Sequence, residues 1–272
     1  MQLDDQKNKH RSRGIVPWIG GKAGLAGRII PLFPSHHCYV EVFAGAGSIL
    51  FRKPESRVEI LNDINLELVT LYRVIKCHLD EFVRYLRWLL TAREEFERFK
   101  ATDPATLTDV QRAVRFYYLH RNAFAPGVGN PSFRSGALRP ASFNLLRIEE
   151  HLSAVHLRLS RVVVESMPYG RVIGMCDKPG TLFYIDPPYF GSEADYGKGL
   201  FNRADFALLA EQLRSIAGRF VLSLNDRPET RRLFKGFRMR AISTKYYVGS
   251  ARGQATRELL IMNFRPGALR GS

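Results

Sequence analysis

The residues best suited to chemistry form the tetrapeptide Asp186-Pro187-Pro188-Tyr189. It directly follows residues 181–185, an apolar and aromatic run that predicts a buried strand. Because proline has no N–H to donate to a sheet, the strand must end at Asp186. A carboxylate, a free carbonyl and an aromatic ring then stand together at a strand end. They suit a planar substrate with an amine edge; the alternative is an ordinary Pro-Pro turn.

The composition bounds the class of protein. The 272 residues, 45% of them hydrophobic, are enough for one large domain or for a domain with an insertion. No apolar run reaches the roughly 18 residues of a membrane span, and the polar N-terminus does not resemble a secretion signal. Cys38, Cys77 and Cys176 are odd in number and far apart, which argues against disulfides or a zinc knuckle. We therefore expect a cytoplasmic protein without a membrane partner.

The charge balance indicates the kind of partner. Lys and Arg number 41 against 26 Asp and Glu, which gives a formal net charge of +15. Such an excess favours a polyanion, most often nucleic acid. A generally basic protein without such a partner is the alternative.

A glycine-rich turn follows the first predicted strand, residues 38–43, in which Glu41 lies near the end. Gly45 and Gly47 remove side chains where a ligand would lie against the backbone, and a helix is expected to begin at residues 48–52. Strand, glycine turn and helix are typical of a nucleotide-type site in a doubly wound sheet. No phosphate-binding Lys-Ser/Thr pair follows, so the motif alone is weak.

A second predicted strand, residues 57–61, leads to Asp63, which comes 18 residues after Gly45. This is close to the roughly 20 residues expected for the acid that binds ribose hydroxyls. Asp63 also suits the N-cap of the helix expected from about Leu66. The two roles are compatible.

Residues 66–119 have apolar side chains at helical spacing and predict several helices, more than a simple crossover between strands needs. They predict an inserted helical subdomain. A segment rich in Gly, Pro, Ser, Asn and Arg follows at 125–146, and such side chains contact bases and phosphates. A plain connector is the alternative for that segment.

The remaining chain, residues 147–264, alternates predicted helices and strands. Asp186 and Asn225 each follow a strand-like run, as the glycine turn and Asp63 do. In an open α/β sheet such strand ends line one crevice, where ligands bind. The seven histidines show no metal-binding spacing, and no Ser, Cys or His triad is evident. The pattern favours direct transfer between two bound molecules.

These motifs together resemble the Dam-like class of DNA adenine N6-methyltransferases, α group, over about residues 15–264. The segment from Trp18 to Lys22 resembles the N-terminal cofactor motif of the family, and 41–47 resembles its Glu-Pro-Phe-x-Gly-x-Gly motif. Residues 62–65 match the ribose-binding segment, and 186–189 match the catalytic tetrapeptide. Val42 and Ala44 depart from the family pattern but leave the glycines intact.

The resemblance implies an α/β fold with a doubly wound mixed sheet of the S-adenosylmethionine-dependent, Rossmann-like type and an inserted helical target-recognition subdomain. The expected domains are a disordered basic tail at 1–14, a catalytic domain at 15–65 and 147–264, the inserted region at 66–146 and a tail at 265–272.

The resemblance also implies transfer of a methyl group from S-adenosylmethionine to adenine N6 in double-stranded DNA by base flipping, without a metal. It suggests a bacterial or phage-encoded, nucleoid-associated enzyme; a cognate restriction endonuclease is a further conceivable partner. The implied catalytic residues are Asp186, Pro187 and Tyr189. The implied cofactor-binding residues are Trp18, Lys22, Glu41, Phe43, Gly45, Gly47, Asp63 and Asp186. The implied base- and DNA-binding residues are Pro188, Tyr189, Arg121, Asn122, Arg134, Arg139, Asn225, Lys245 and Arg252.

Two other functions stay open at this point. An RNA adenine or DNA cytosine-N4 methyltransferase would use the same tetrapeptide, although Asp at its first position favours adenine by analogy with the family. A DNA-binding protein with an inactive cofactor fold is the alternative from another class. The intact Gly45, Gly47, Asp63 and Asp186 argue against it, because a decayed site would have lost at least one of them.

Overall fold

A computed structural model of the chain describes residues 14–18, 20–124, 131–134, 144–191, 200–245 and 255–266. The described helices are α1 (Ala26–Ile29), α2 (Leu66–Cys77), α3 (Leu79–Arg87), α4 (Arg93–Ala101), α5 (Asp109–Asn122), α6 (Leu145–Leu159), α7 (Tyr169–Cys176), α8 (Arg203–Arg214) and α9 (Pro228–Leu233). The described strands are β1 (Cys38–Glu41), β2 (Val58–Asn62), β3 (Val162–Glu165), β4 (Thr181–Ile185), β5 (Arg219–Asn225), β6 (Arg238–Lys245) and β7 (Ala255–Met262). None of these helices is both long and apolar enough to cross a membrane.

The chain divides into two compact units. The first comprises Met1–Ala23, Gly45–Lys53 and Asn65–Ser166, and the second comprises Gly24–Ala44, Pro54–Ile64 and Met167–Ser272. Strand β3 and the helices α2 to α6 therefore belong to the first unit. The division into catalytic and inserted regions at residues 65/66 and 146/147 stays a prediction.

Six strands of the second unit are hydrogen-bonded side by side in the order β2-β1-β4-β5-β7-β6. The first four run parallel, whereas β7 is antiparallel to both β5 and β6. This mixed sheet with helices confirms the predicted α/β class. Because β2, β1, β4 and β5 are parallel, their carboxyl ends lie at one edge of the sheet.

The alternation of side chains along these strands gives the sheet two different faces. One face is apolar and includes Val40, Phe183, Ile185, Leu222 and Ile261. Buried residues of α7 and α8 belong to the same core. The opposite face carries Tyr39, Glu41, Tyr184, Ser223 and Glu258, which are also buried. The sheet thus keeps buried polar groups away from the apolar core.

In the first unit, helix α2 packs against α5 and α6. Its N-terminus is capped by Asn65, whose side chain accepts from the backbone N–H groups of Glu67 and Leu68 at 3.0 and 3.3 Å. Thr108 and Gln111 form a capping box at the start of α5. The predicted helical character of residues 66–119 is thereby confirmed.

Two local predictions are wrong. The sequence from about Ala23 to Phe33, which ends before Pro34, predicts one continuous helix, but the structure has the short helix α1 between 3₁₀ turns at Lys22–Gly24 and Ile30–Leu32. Pro31 explains the break, since it has no N–H to donate to the carbonyl four residues earlier.

The helix expected from Ser48 does not form either. Within described residues 45–53 the chain makes only turns, although Phe51 N–H donates to the Gly47 carbonyl at 3.0 Å in a helix-like bond. Pro54 leaves too little chain after Gly47 for a helix to propagate.

Candidate active site

The predicted polar residues of the second unit lie at the carboxyl ends of its parallel strands. Glu41 is the last residue of β1, Asp186 directly follows β4, and Asn225 is the last residue of β5. Asp63 follows β2 and is half-buried. Because Glu41 pairs with Tyr184 and Ile185 pairs with Leu222, these ends are aligned along one edge. The strand ends are aligned as predicted, and a ligand-binding crevice there stays a prediction.

The carboxylates at this edge form an acidic environment. Glu41 is only 2% exposed, and the Tyr39 hydroxyl donates to its Oε2 at 2.9 Å. Burial raises the pKa of Tyr184 well above its usual value, and the nearby carboxylates of Asp186, Glu258 and Glu41 raise it further. Three carboxylates thus act on one buried phenol. A buried acidic cluster of this kind complements a cationic ligand.

The tetrapeptide itself is held on a well-anchored loop. Pro187 and Pro188 are buried, whereas Asp186 and Tyr189 are half-buried. The next ring, Phe190, stacks on Phe206 with centroids 4.1 Å apart. The loop therefore buries its prolines and leaves Asp186 and Tyr189 partly accessible.

Two side chains hold the Tyr189–Phe190 end of this loop. The Tyr189 hydroxyl lies 2.5 and 2.7 Å from the two carboxylate oxygens of Glu258. The Asn225 amide donates to the Phe190 carbonyl at 3.0 Å. The Asn225 Oδ1 atom is buried and has no hydrogen-bond partner among the described residues. Asn225 thus supports the loop, and its contact with DNA stays a prediction.

The Asn62-Asp63 segment has separate roles for its two residues. The Asn62 amide donates to the carbonyls of Val42 and Met167, both at 3.0 Å, and its oxygen accepts from Met167 N–H at 3.0 Å. Asn62 therefore fixes the end of β2. The cap of α2 is Asn65 rather than Asp63, so capping does not account for Asp63. Its role in holding ribose stays a prediction.

Phe43 follows β1 and lies among aromatic rings of the second unit. It stacks on Tyr169 with centroids 5.7 Å apart and meets Phe201 edge-on at 5.7 Å. The ring is half-buried. Its packing is compatible with a flat apolar wall beside the strand ends.

The glycine turn belongs to the first unit. Gly45 and Gly47 have φ angles of +49° and +68°, which favour glycine. A Cβ at Gly45 would lie 2.7 Å from Trp18 Nε1, and one at Gly47 would lie 2.7 Å from the Phe51 ring. Both positions therefore require glycine for backbone conformation and for space. The turn brings Trp18 against Gly45.

The environment of Trp18 includes a buried histidine that the sequence did not identify. The Trp18 and His120 rings stack with centroids 5.4 Å apart and planes at 10°. His120 is 8% exposed, and its Nδ1 lies 2.9 Å from the Phe116 carbonyl. Burial lowers the pKa of His120 to about 4, so the ring is neutral at neutral pH.

Lys22, the predicted cofactor-binding lysine, is also buried, and its Nζ donates to the Gly20 carbonyl at 2.9 Å.

The predicted DNA-contacting residues fall into two groups. Around α5, the Arg121 guanidinium lies 5.8 Å from the Tyr117 ring centroid, and the buried Asn122 amide donates to the Tyr118 carbonyl at 3.0 Å. Arg134 N–H donates to the Asn122 carbonyl at 2.7 Å. This short antiparallel pairing includes a bridge between Ala123 and Phe133.

The second group is described only in part. Lys245 is the last residue of β6, whereas Arg139 and Arg252 lie outside the described residues, as do residues 192–199 of the loop after Tyr189. DNA contact by these residues stays a prediction.

Glu258 is the functional candidate that sequence reasoning missed. It lies in β7, where it precedes the buried run Leu259, Leu260 and Ile261 and is itself 1% exposed. A lone acid at the start of an apolar strand is a signal that could have identified it, because buried acids require partners.

Comparison with known proteins agrees with this geometry. The family model for the D12 class of N6 adenine-specific DNA methyltransferases matches residues 18–248. The DNA adenine methylase of Escherichia coli (strain K12) is 27% identical over 287 residues, which cover 95% of this chain and 98% of that protein. The DNA adenine methylase of Salmonella typhi is 27% identical over 280 residues, which cover 94% and 97%.

A viral protein is related as well. The type II methyltransferase M.CviBI of Paramecium bursaria Chlorella virus NC1A is 22% identical over 240 residues, with 85% of this chain and 88% of that protein covered. The family match spans most of the chain and includes the glycine turn, Asp63 and the tetrapeptide. The chain belongs to the D12 class of N6 adenine-specific DNA methyltransferases.

Proposed function

We propose that this chain transfers a methyl group from S-adenosylmethionine to the exocyclic N6 of an adenine that is extruded from double-stranded DNA. One observation carries the proposal. The Asp186-Pro187-Pro188-Tyr189 loop follows β4 at the edge where Glu41 and Asn225 end their own strands, in a chain of the adenine-methyltransferase family.

The residues present fit the cofactor. When bound, S-adenosylmethionine supplies a methyl carbon whose bond to a positively charged sulfur breaks as the acceptor attacks. The carboxylates of Asp186 and Glu41 near Tyr184 provide complementary negative charge in the second unit. Asp63 is the candidate residue for accepting hydrogen bonds from the ribose hydroxyls of the cofactor.

In the first unit, Gly45 and Gly47 present backbone without side chains. Trp18 and Phe51 fill the space beside the two glycines, so the turn would support the cofactor site through its backbone conformation. Trp18, Lys22 and Phe43 remain candidates for the cofactor site by resemblance to the family motifs. Operation without a metal is likewise part of the proposal.

The tetrapeptide supplies the acceptor chemistry. The Asp186 carboxylate and the Pro187 carbonyl would accept the two N–H groups of the adenine amine. These hydrogen bonds would draw the nitrogen towards tetrahedral geometry and aim its lone pair at the methyl carbon, while the proton that N6 gives up passes to the Asp186 carboxylate and on to solvent. Tyr189 would stack on the base beside Pro188. The amine cannot be reached inside a duplex, so the base must leave the stack.

The basic residues would hold the distorted DNA. Arg121 and Arg134 lie around the end of α5 and are candidates for this role, as are Arg139, Lys245 and Arg252; Asn122 is buried and would support them through the bond from Arg134 N–H to its carbonyl. The formal net charge of +15 supports binding to a polyanion. The proposal includes a bacterial or phage-encoded protein that acts on DNA in the cytoplasm, with a cognate restriction endonuclease as a partner. Relatives from bacteria and a virus support this origin.

A methyl-transfer assay with labelled S-adenosylmethionine tests the proposal. Duplex DNA, single-stranded RNA and free adenosine are offered in parallel, with and without a metal chelator, and the product base is identified by mass spectrometry. We expect N6-methyladenine in duplex DNA, unaffected by the chelator. Transfer to RNA alone, formation of N4-methylcytosine, or DNA binding without any transfer would overturn the proposal.

A further inference from the structure

The catalytic loop is tied to a strand that contributes nothing to the recognised tetrapeptide. Glu258 on β7 accepts from the Tyr189 hydroxyl, which lies 2.5 and 2.7 Å from its two oxygens. The Ser223 hydroxyl on β5 donates to the same carboxylate. Glu258 is 1% exposed and Ser223 is 0% exposed, so these bonds are shielded from water.

The sheet register explains why the carboxylate is there. In the antiparallel pair of β5 and β7, Glu258 stands opposite Asn225. Directly opposed residues project to the same face, and Ser223 is two residues away on that face. The Asn225 amide holds the Phe190 carbonyl while Glu258 holds the Tyr189 hydroxyl. One pair of opposed residues thus anchors two consecutive residues of the loop.

The energetics favour a specific role for this contact. A buried carboxylate requires hydrogen-bond donors, and bonds to a charged group are stronger than neutral ones. Prolines restrain the Asp186 end of the tetrapeptide, but they do not set the side-chain torsions of Tyr189. The bond to Glu258 fixes the outer end of that side chain and hence the direction of the ring axis, and the preference of a phenolic O–H to lie in the ring plane then favours one orientation of the ring.

We infer that Glu258 is a positioning residue for methyl transfer, which orients the Tyr189 ring for stacking on the target base through the hydroxyl of that tyrosine. The inference rests on the proposed function and deepens it. Glu258 acts through Tyr189 rather than by touching the substrate.

Kinetics of three variants test the inference. Tyr189→Phe keeps the ring and removes the hydroxyl, whereas Glu258→Gln keeps the shape and removes the charge. Because one hydrogen bond to a charged group is at stake, each should lower kcat about tenfold and change KM for S-adenosylmethionine less than about twofold. The double variant should also be about tenfold slower, rather than the hundredfold expected of independent effects.

A matched control separates positioning from general loosening of the sheet. The Asn263 amide donates to the Gly218 carbonyl at 2.9 Å, and its oxygen accepts from Phe220 N–H at 3.1 Å, near the opposite end of β5. Asn263→Ala should lower the melting temperature while kcat stays within about twofold of wild type. If Asn263→Ala slows transfer as much as Glu258→Gln does, Glu258 has no specific positioning role.

A second readout does not depend on activity. With 3-fluorotyrosine placed at position 189, the ¹⁹F resonance should shift and change its linewidth in Glu258→Gln. An unchanged resonance, or kcat of Tyr189→Phe within twofold of wild type, overturns the inference even if Glu258→Gln fails to fold. If the wild-type chain transfers no methyl group but the expected ¹⁹F change is seen, the result counts against the proposed function. The hydrogen bond from Tyr189 to Glu258 would then still be shown to orient the ring.

Discussion

The hydroxyl of Tyr72 donates a hydrogen bond of 2.8 Å to the carbonyl oxygen of Gly45. Tyr72 lies on α2 and is 1% exposed, so a helix of the first unit holds the glycine turn through a buried contact. A Cβ on Gly47 would lie 2.9 Å from the same hydroxyl. The turn thus depends on one phenol that fixes its backbone and on two glycines that make room.

Tyr72→Phe removes this hydrogen bond and keeps the ring. We expect the free energy of unfolding to fall by about 1 to 2 kcal/mol, because the Gly45 carbonyl loses a buried donor. Affinity for S-adenosylmethionine should fall several-fold, as measured by titration calorimetry. Tyr85→Phe, on the outer part of α3, serves as the control. If the two variants bind the cofactor alike, Tyr72 does not support the site.

Gly45→Ala should abolish measurable cofactor binding or weaken it at least about tenfold. The added methyl would meet Trp18 Nε1 at 2.7 Å in a backbone conformation with φ +49° that alanine rarely adopts. Gly27→Ala is the matched control, because a Cβ there has no atom within 4 Å among the described residues and lies in α1. Near-normal affinity of Gly45→Ala in calorimetry would contradict this role of the turn.

Asp186→Ala should lower the transfer rate by at least about a hundredfold, because it removes one of the two acceptors proposed for the adenine amine. DNA affinity in a gel-shift titration should stay within about threefold. Asp177→Asn is the control acid, since Asp177 accepts from the N–H groups of Ala217 and Gly218 and should affect stability alone. Rapid turnover by Asp186→Ala, or loss of its fold, would remove the proposed catalytic role.

Asp63→Ala should weaken binding of S-adenosylmethionine about tenfold, because the ribose hydroxyls lose an ionised acceptor. Titration calorimetry measures the change. Asp103→Ala is the control, since Asp103 caps a 3₁₀ turn in the helical part of the first unit. An unchanged affinity for Asp63→Ala would exclude this residue from the site.

His120 should make stability depend on pH. Its pKa is lowered by burial to about 4 in the folded chain, against 6.5 for an ordinary histidine. Between these pH values His120 binds more protons in the unfolded chain than in the folded chain. The contribution of neutral His120 to stability is therefore complete above pH 6.5 and declines as pH falls towards 4.

From pH 7 to pH 5 the wild type should therefore lose about 2 kcal/mol more unfolding free energy than His120→Gln does. Urea unfolding at the two pH values measures this difference. Burial lowers the pKa of His151 as well, but that histidine is present in both proteins and its effect cancels. Equal losses in the two proteins would contradict the prediction.

Local chemistry explains what could be predicted from the sequence. The strand Thr181–Ile185 has the predicted bounds because the apolar run is ended by two prolines, and both signals are adjacent in the chain. The sequence also predicts a short helix near Pro228 to Leu233, and the structure has a helix at Pro228–Leu233. Where a proline fell inside an apolar pattern, as at Pro31, the expected helix was interrupted.

The sequence by itself determined the α/β class, the ends of the parallel strands and the family tetrapeptide, because these depend on neighbouring residues and on periodicity. Only the tertiary structure decided which distant side chains support them. Tyr189 and Glu258 are 69 residues apart in sequence, and Tyr72 and Gly45 are 27 apart. Such contacts depend on strand register and helix packing, which bring together residues that no local pattern connects.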